Sequence, residues 1–269
     1  MKLYDALLRT AKMAAIIGLE QESGRMEATA GSLRDAVIKG FYLDERGRFI
    51  DSSESDCSSQ GVNVLALQFG LIEGDARRSL LAAVEAEEWT CRTLLSLNLL
   101  QVLFENGYKE SAYRILSREA FPGWGYMISK GDRTVWEGFD DIESHCHAWN
   151  GYPARLMAEY IVGIRALAPG FKRTAIEPYL PDDLTYAESA VPTPYGIIKA
   201  GWYKEERGLK LNCSIPSGIT GVIAFPEQAN GVVTIEQDGE IIKALSHASS
   251  VELETGEYVL RIKYSVTEN

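Results

Sequence analysis

The stretch Thr93-Leu94-Leu95-Ser96-Leu97-Asn98-Leu99-Leu100-Gln101-Val102-Leu103-Phe104 is apolar on nearly every side of a helix, and such a helix is stable only when other helices surround it. It is therefore read as an inner helix. Asn106-Gly107 supplies a C-cap and a turn. The next segment, 108–118, has a one-sided stripe of Ala112, Ile115 and Leu116, the pattern of an outer helix with one face in water. An inner helix joined by a short turn to an outer one is the repeating unit of helices paired in two layers.

Upstream, residues 1–19 place Leu3, Leu7, Ala11, Ala14 and Ala15 on one stripe, and 32–43 repeat the habit with Leu33, Val37 and Phe41. Asp44-Glu45-Arg46-Gly47-Arg48 forms a turn before a polar loop over 51–59. Val62, Leu65, Ala66, Phe69 and Leu71 then begin a third helix, and a fourth spans 75–88. Downstream, Leu156, Met157, Tyr160, Ile161 and Ile164 mark a last long helix over roughly 152–167, ended by Pro169-Gly170.

Beyond about residue 185 the period changes from helical to alternating. Leu209, Leu211, Cys213 and Ile215 alternate with polar neighbours, as do Tyr258, Leu260, Ile262 and Tyr264 with Val259, Arg261, Lys263 and Ser265, the signature of half-buried strands. Further short runs at 196–203, 220–225, 231–236 and 240–245 are separated by turns such as Pro216-Ser217-Gly218 and Asp238-Gly239. The expected fold is thus α then β: a helical domain over 1–172 and an antiparallel β-sandwich over 173–269.

The 269 residues carry 27 Lys and Arg against 38 Asp and Glu, a net charge of −11, which argues against a nucleic-acid partner. At 46% hydrophobic and 24% charged, the chain has the composition of a folded domain and not of a disordered one. No run approaches the about 20 apolar residues of a membrane span, and Met1-Lys2-Leu3-Tyr4-Asp5 opens no signal peptide. The expected compartment is the cytoplasm, with Cys57, Cys91, Cys146 and Cys213 as scattered reduced thiols.

The chemistry-bearing residues crowd between the two patterns. Trp89, Trp124, Trp136 and Trp149 lie there with His145 and His147, in a stretch that over 121–151 has neither a clear helical nor a clear strand period. Sugars present flat C–H faces ringed by hydroxyls, so a sugar subsite needs aromatic platforms beside carboxylates and imidazoles. A carbohydrate-lined cleft is one reading; a packing joint between domains is the other. His145 and His147 flank Cys146 with no third ligand at a sensible spacing, so neither a metal nor another cofactor is expected.

Three motifs in order, Gly123-Trp124-Gly125-Tyr126-Met127-Ile128, Gly131-Asp132-Arg133-Thr134-Val135-Trp136-Glu137 and Ser144-His145-Cys146-His147-Ala148-Trp149, resemble the late barrel motifs of the bacterial α-L-rhamnosidases. The resemblance extends upstream through Phe104-Glu105-Asn106-Gly107-Tyr108 and Ala112-Tyr113. Downstream it runs through Pro169-Gly170-Phe171-Lys172 and Pro194-Tyr195-Gly196, like that family's link into its C-terminal β-sandwich. It implies an (α/α)6 barrel and inverting hydrolysis of terminal α-L-rhamnosyl linkages. It places Glu137 at the general base, His147 on sugar hydroxyls and Trp124, Trp136 and Trp149 around the subsite, with Asp140, Asp141 and His145 as further contacts. Two departures stand out: Asp132 and Arg133 occupy positions where the family has small neutral residues, and Cys146 stands where an asparagine often precedes the histidine.

The resemblance covers only the later half of such a barrel, because about six helices precede Glu137 and one follows it. The general acid belongs to the earlier half, and no segment of 1–120 resembles its motif; Asp56, Glu85 and Glu87 are the available stand-ins. The expectation is therefore a fragment of a longer enzyme, a chain whose barrel is completed by a second polypeptide or by a second copy, or a reduced relative that is catalytically incomplete and acts as a carbohydrate-binding or scaffold protein. Another (α/α)6 hydrolase acting on uronic-acid sugars fits the acidic loop less well.

Overall fold

The computed structural model describes residues 1–140, 144–226, 231–246 and 248–264. They form two compact units, Met1–Asn150 and Gly151–Asn269.

The first unit is helical: α1 (Lys2–Ile16), α2 (Glu20–Phe41), α3 (Gln60–Gln68), α4 (Gly74–Ala86), α5 (Thr93–Glu105), α6 (Lys109–Leu116) and α7 (Trp124–Ser129). A short hairpin, β1 (Tyr42–Leu43) with β2 (Arg48–Phe49), follows α2. The apolar stretch at 93 is α5, with Ser96, Leu99, Leu100, Val102, Leu103 and Phe104 buried. α5 packs against both α3 and α6. The α3 contact is close: a Cβ on Gly61 would come within 2.5 Å of Leu95 Cδ1.

α3 starts where Ser59 Oγ accepts the Val62 N–H at 3.3 Å, an N-cap. Inside it, Asn63 is fully buried, accepts the Phe49 N–H at 2.9 Å and donates to the Ser59 carbonyl at 2.8 Å, which ties the hairpin to the helix.

α2 begins well before the stripe at 32–43 predicts. Its first half buries only Ser23 and Ala30, so there was no apolar stripe to read. α1 and α2 pair through a link at 17–19, where Gly18 has φ +80°. That hairpin leaves Leu3, Met13, Ile16 and Ile17 exposed.

The second unit opens with α8 (Tyr152–Leu156), which continues as a π-helical turn over Met157–Val162 and stops there, before the end expected at 167. Gly163 explains the stop: at φ +91° it makes a left-handed C-cap, and a Cβ there would lie 2.1 Å from the Glu177 carbonyl oxygen. The chain then enters β3 (Ile164–Ala166).

Among the described residues, ten strands, β3 to β12, make two sheets. The six-stranded sheet is ordered β10-β9-β12-β7-β6-β5, from β10 (Glu240–Ser246), β9 (Val232–Gln237), β12 (Gly256–Lys263), β7 (Gly208–Ile215), β6 (Gly196–Glu205) and β5 (Tyr186–Thr193). The four-stranded sheet is β11-β8-β4-β3, with β11 (Ser250–Leu253), β8 (Thr220–Ala224) and β4 (Arg173–Ile176). All pairings are antiparallel except β4 with β8.

Alternate residues of the large sheet, among them Ile198, Trp202, Leu209, Leu211, Ile235 and Leu260, form the buried layer of this unit. Trp202 is fully buried, and its indole N–H donates to the Ile161 carbonyl at 2.9 Å.

Candidate functional site

The site stretch is held by its backbone because it has little regular structure of its own. Ahead of it, Gly123 and Gly125 sit so close to the 118–120 backbone that a Cβ on either would lie under 3 Å from the Arg118 carbonyl oxygen. This contact fixes the start of α7.

Beyond α7 two arms pair. Glu137 N–H donates to the Ser144 carbonyl at 3.0 Å, His147 N–H donates to the Val135 carbonyl at 2.8 Å, and the Thr134 hydroxyl bonds the His145 carbonyl. The base of the arms is tied by Asn150, which is fully buried. Its amide donates to the Trp136 carbonyl at 3.0 Å, and its Oδ1 accepts the Trp124 indole N–H at 2.9 Å.

The backbone carbonyl of Glu137 accepts twice, from Thr93 Oγ1 at 3.1 Å and from Trp149 Nε1 at 3.0 Å. Thr93 is the first residue of α5, so the inner helix places this carbonyl. With its main chain held on both sides, the Glu137 carboxylate projects half-exposed, and Oε2 lies 3.8 Å from His147 Nδ1. A second pair stands beside it: Asp132 Oδ1 is 3.6 Å from His145 Nδ1, while Asp132 Oδ2 accepts the Trp136 indole N–H at 2.8 Å.

The aromatic residues divide into floor and surface. Trp124 is buried, stacked on Trp89 at 5.6 Å and met edge-on by Phe139 at 5.1 Å. Trp136 is buried too, with His145 stacked on it at 4.7 Å. Of the three tryptophans expected around a subsite, only Trp149 keeps an open ring, 47% exposed and tilted against His147 at 4.8 Å. Asp140 is exposed and paired with Arg92 at 3.0 Å; Asp141 lies outside the described residues.

The structure thus brings Glu137, His147 and Trp149 into one cluster and His145, Trp136 and Asp132 into an adjoining one. Trp124 serves as support beneath them.

Of the three stand-in acids, two are engaged by neighbours and Asp56 is exposed. Glu85 accepts the Ser111 hydroxyl at 2.5 Å, Glu87 pairs with Arg48, and Asp56 lies 3.8 Å from Arg46. Among the described residues no group of three or more His, Cys, Asp or Glu is arranged to hold a metal ion, and no helix is long and apolar enough to cross a membrane. Sequence reasoning missed Thr93, Asn150 and Phe139. The only signal for them is position: Thr93 opens the apolar helix, Asn150 follows Trp149, and Phe139 lies two residues after Glu137.

Comparison with known proteins accounts for nearly the whole chain. Residues 2–161 match the bacterial alpha-L-rhamnosidase 6 hairpin glycosidase domain, and residues 163–240 match the bacterial alpha-L-rhamnosidase C-terminal domain. An alpha-L-rhamnosidase of Alteromonas sp. (strain LOR) is 30% identical over 251 residues, covering 87% of this chain and 27% of that protein. The structure of alpha-L-rhamnosidase from Dictyoglumus thermophilum superimposes with a TM-score of 0.83 at 23% identity, over 97% of this chain and 31% of that one. The Streptomyces avermitilis alpha-L-rhamnosidase complexed with L-rhamnose gives 0.76 at 24% identity, over 94% and 25%. The chain therefore spans between 25% and 31% of the length of these relatives.

Proposed function

The chain belongs to the bacterial α-L-rhamnosidase family, and from that membership we propose that it carries the base half of a glycoside hydrolase that cleaves terminal α-L-rhamnosyl linkages with inversion. Glu137 is the general base. Its carboxylate takes a proton from a water, whose oxygen forms the new bond to the anomeric carbon. A carboxylic acid on the opposite face protonates the departing glycosidic oxygen as the old bond breaks. Inversion needs the two carboxyl groups about 6.5–9.5 Å apart, so that the water fits between base and sugar.

The observation that carries this reading is the double anchor on the Glu137 carbonyl. A base has to be held at a fixed distance from its water, and here the main chain is pinned while the carboxylate stays open to solvent. His147, 3.8 Å from it, holds sugar hydroxyls; the open ring of Trp149 is the platform for a sugar face. His145 and Asp140 make outer contacts, and Trp136 and Trp124 back the site from below.

The acid comes from outside this chain's assigned residues. The earlier half of the barrel is supplied by more of the same polypeptide, by a second copy or by another polypeptide, and the apolar residues that α1 leaves exposed are the kind of surface it covers. Four free cysteines suit a reducing compartment such as the cytoplasm.

A second reading, a non-catalytic carbohydrate-binding protein, is favoured by one observation: Glu85 and Glu87, two of the three candidate stand-in acids, are engaged by Ser111 and Arg48. Release of p-nitrophenol from its α-L-rhamnoside, measured for wild type and Glu137→Gln with the mass in solution on the same sample, tests the hydrolase. Turnover abolished by Glu137→Gln supports the hydrolase. A folded, inactive monomer favours either the incomplete enzyme or the binding protein.

A further inference from the structure

Asp132 turns its two carboxylate oxygens to different partners. Oδ2 accepts the Trp136 indole N–H at 2.8 Å, and Oδ1 lies 3.6 Å from His145 Nδ1. The imidazole lies flat on the indole, with ring centroids 4.7 Å apart and planes 20° from parallel. The cluster is closed from the main chain as well, because the Thr134 hydroxyl bonds the His145 carbonyl and the Asn150 amide donates to the Trp136 carbonyl at 3.0 Å.

Trp136 is the residue before Glu137, and Tyr126 meets its ring edge-on at 6.1 Å. With 7% of its surface open, Trp136 is a floor and not a ligand contact. What stands on that floor is His145, whose side chain is 51% exposed.

One acceptor satisfies a buried indole N–H. The second oxygen of Asp132 is therefore available to orient a neighbour, and the group it faces is His145 Nδ1. On the five-membered ring this turns Nε2 away from the carboxylate and leaves that nitrogen for a ligand.

Two carboxylate–imidazole pairs thus stand side by side, Glu137 with His147 and Asp132 with His145. The histidines are two residues apart on one arm, so their Cα atoms are at most about 7 Å apart, within reach of a single sugar residue. Glu137 presents its carboxylate beside His147, whereas Asp132 is held by the indole and acts on a ligand only through His145.

We propose, resting on the reading of Glu137 as the base of a sugar site, that Asp132 is a positioning residue: it fixes Trp136 and His145 so that His145 Nε2 meets one ring hydroxyl of the bound sugar. A hydroxyl both donates and accepts, so the contact forms with either tautomer of the imidazole. The family's pattern has small neutral residues at position 132, and the contact is a source of selectivity particular to this chain.

The test is NMR titration of the full chain, labelled at its tryptophan and histidine nitrogens, with L-rhamnose and its 2-, 3- and 4-deoxy derivatives. The variants are Asp132→Ala, Asp132→Asn and His145→Phe. Alanine returns position 132 to the family's pattern and should leave the fold intact, which the indole signals of the other tryptophans report. Asparagine keeps an oxygen for the indole and an amide for the imidazole. Phenylalanine keeps the stack, removes the nitrogens and carries the test if Asp132→Ala does not fold.

L-rhamnose should shift the Trp149 and His147 signals saturably. Asp132→Ala should weaken binding about fivefold, the loss of one hydrogen bond, and speed solvent exchange of the Trp136 indole N–H about tenfold. Asp132→Asn should restore both to within about twofold of wild type. His145→Phe should weaken L-rhamnose about fivefold yet leave the affinity for one deoxy sugar unchanged, because that sugar lacks the hydroxyl the imidazole meets. A purely structural role would weaken all four sugars alike.

Sugar binding untouched by Asp132→Ala, no recovery in Asp132→Asn, or equal losses for all four sugars in His145→Phe would overturn the role of Asp132 alone. No shift with any sugar would overturn the reading of the Glu137 site and this role with it.

Discussion

Replacing Asn150 with alanine should unlock the base of the site loop. The residue is fully buried and serves two partners, donating to the Trp136 carbonyl at 3.0 Å and accepting the Trp124 indole N–H at 2.9 Å. Alanine strands the Trp136 carbonyl, at a cost of about 1–3 kcal/mol for a buried acceptor left unpaired. The Trp124 N–H retains only its longer contact, 3.3 Å to the Asn150 main-chain oxygen, and loses about another 1 kcal/mol. A total of about 3 kcal/mol in a unit of this size lowers the melting temperature by about 6–12 °C.

Differential scanning calorimetry of wild type, Asn150→Ala, Trp124→Phe and the double variant measures both the loss and its origin. Because the two side chains share a hydrogen bond, the double variant should lose less than the sum of the singles, by about 0.5–1.5 kcal/mol. A fall in melting temperature under about 2 °C for Asn150→Ala, or strictly additive losses, would refute the claim that this asparagine ties the loop.

Thiol titration should find two fast-reacting groups in the native chain and four in denaturant. Burial pushes the Cys91 and Cys213 thiols up to about 12, while Cys57 and Cys146 are exposed. Of the exposed pair, Cys146 should react faster with Ellman's reagent at pH 8, because the Asp51 carboxylate hydrogen-bonded to Cys57 raises that thiol. Truncating Trp202, fully buried and bonded to the Ile161 carbonyl, to alanine should cost about 3–5 kcal/mol in urea unfolding; a loss under about 1 kcal/mol would mean the sandwich core repacks around it. At Asp51, partial burial opposes the charge, but hydrogen bonds from Ser59 and Cys57 outweigh it and hold the carboxyl below its ordinary value. The stability it contributes is complete above that ordinary value, about 4, and is lost as pH falls through the depressed one. Asp51→Asn should therefore lessen the loss of stability on acidification, read from melting temperatures between pH 2 and pH 6; an acid limb as steep as that of wild type would count against the linkage.

The parts of the fold that were legible in the sequence are those where burial is periodic. The stretch at 93–104 is a helix that buries Leu99, Leu100, Val102, Leu103 and Phe104 but leaves Leu94 exposed, and the alternating runs from 196 onward became strands within a residue or two. The first half of α2 was not legible because its faces bury almost nothing. β5 was missed for a related reason: it is a sheet edge with half-buried alternate residues and Pro192 near its end, and edges tolerate residues that central strands do not.

At the site, residue types were readable but their orientation was not. Three tryptophans in a glycine-rich loop do not say which will face water. That is decided by Phe139, Trp89 and the Asn150 amide, which cover Trp124 from other parts of the chain. Nor does any pattern announce that the Thr93 hydroxyl reaches the Glu137 carbonyl, since this contact joins residues 44 positions apart.

The arms at 134–137 and 144–147 are joined by two amide-to-carbonyl bonds and one threonine hydroxyl. Peptide groups are the same whatever side chain they carry, so the frame that presents Glu137 is largely indifferent to the identities of its neighbours. Arg133 and Cys146, both exposed, sit on this frame at points where substitution leaves the amide-to-carbonyl pairing intact. Single substitutions there can therefore change what the loop presents while the geometry that holds Glu137 stays as it is. The same independence makes these two positions the natural targets for saturation libraries that probe the proposed site without disturbing its frame.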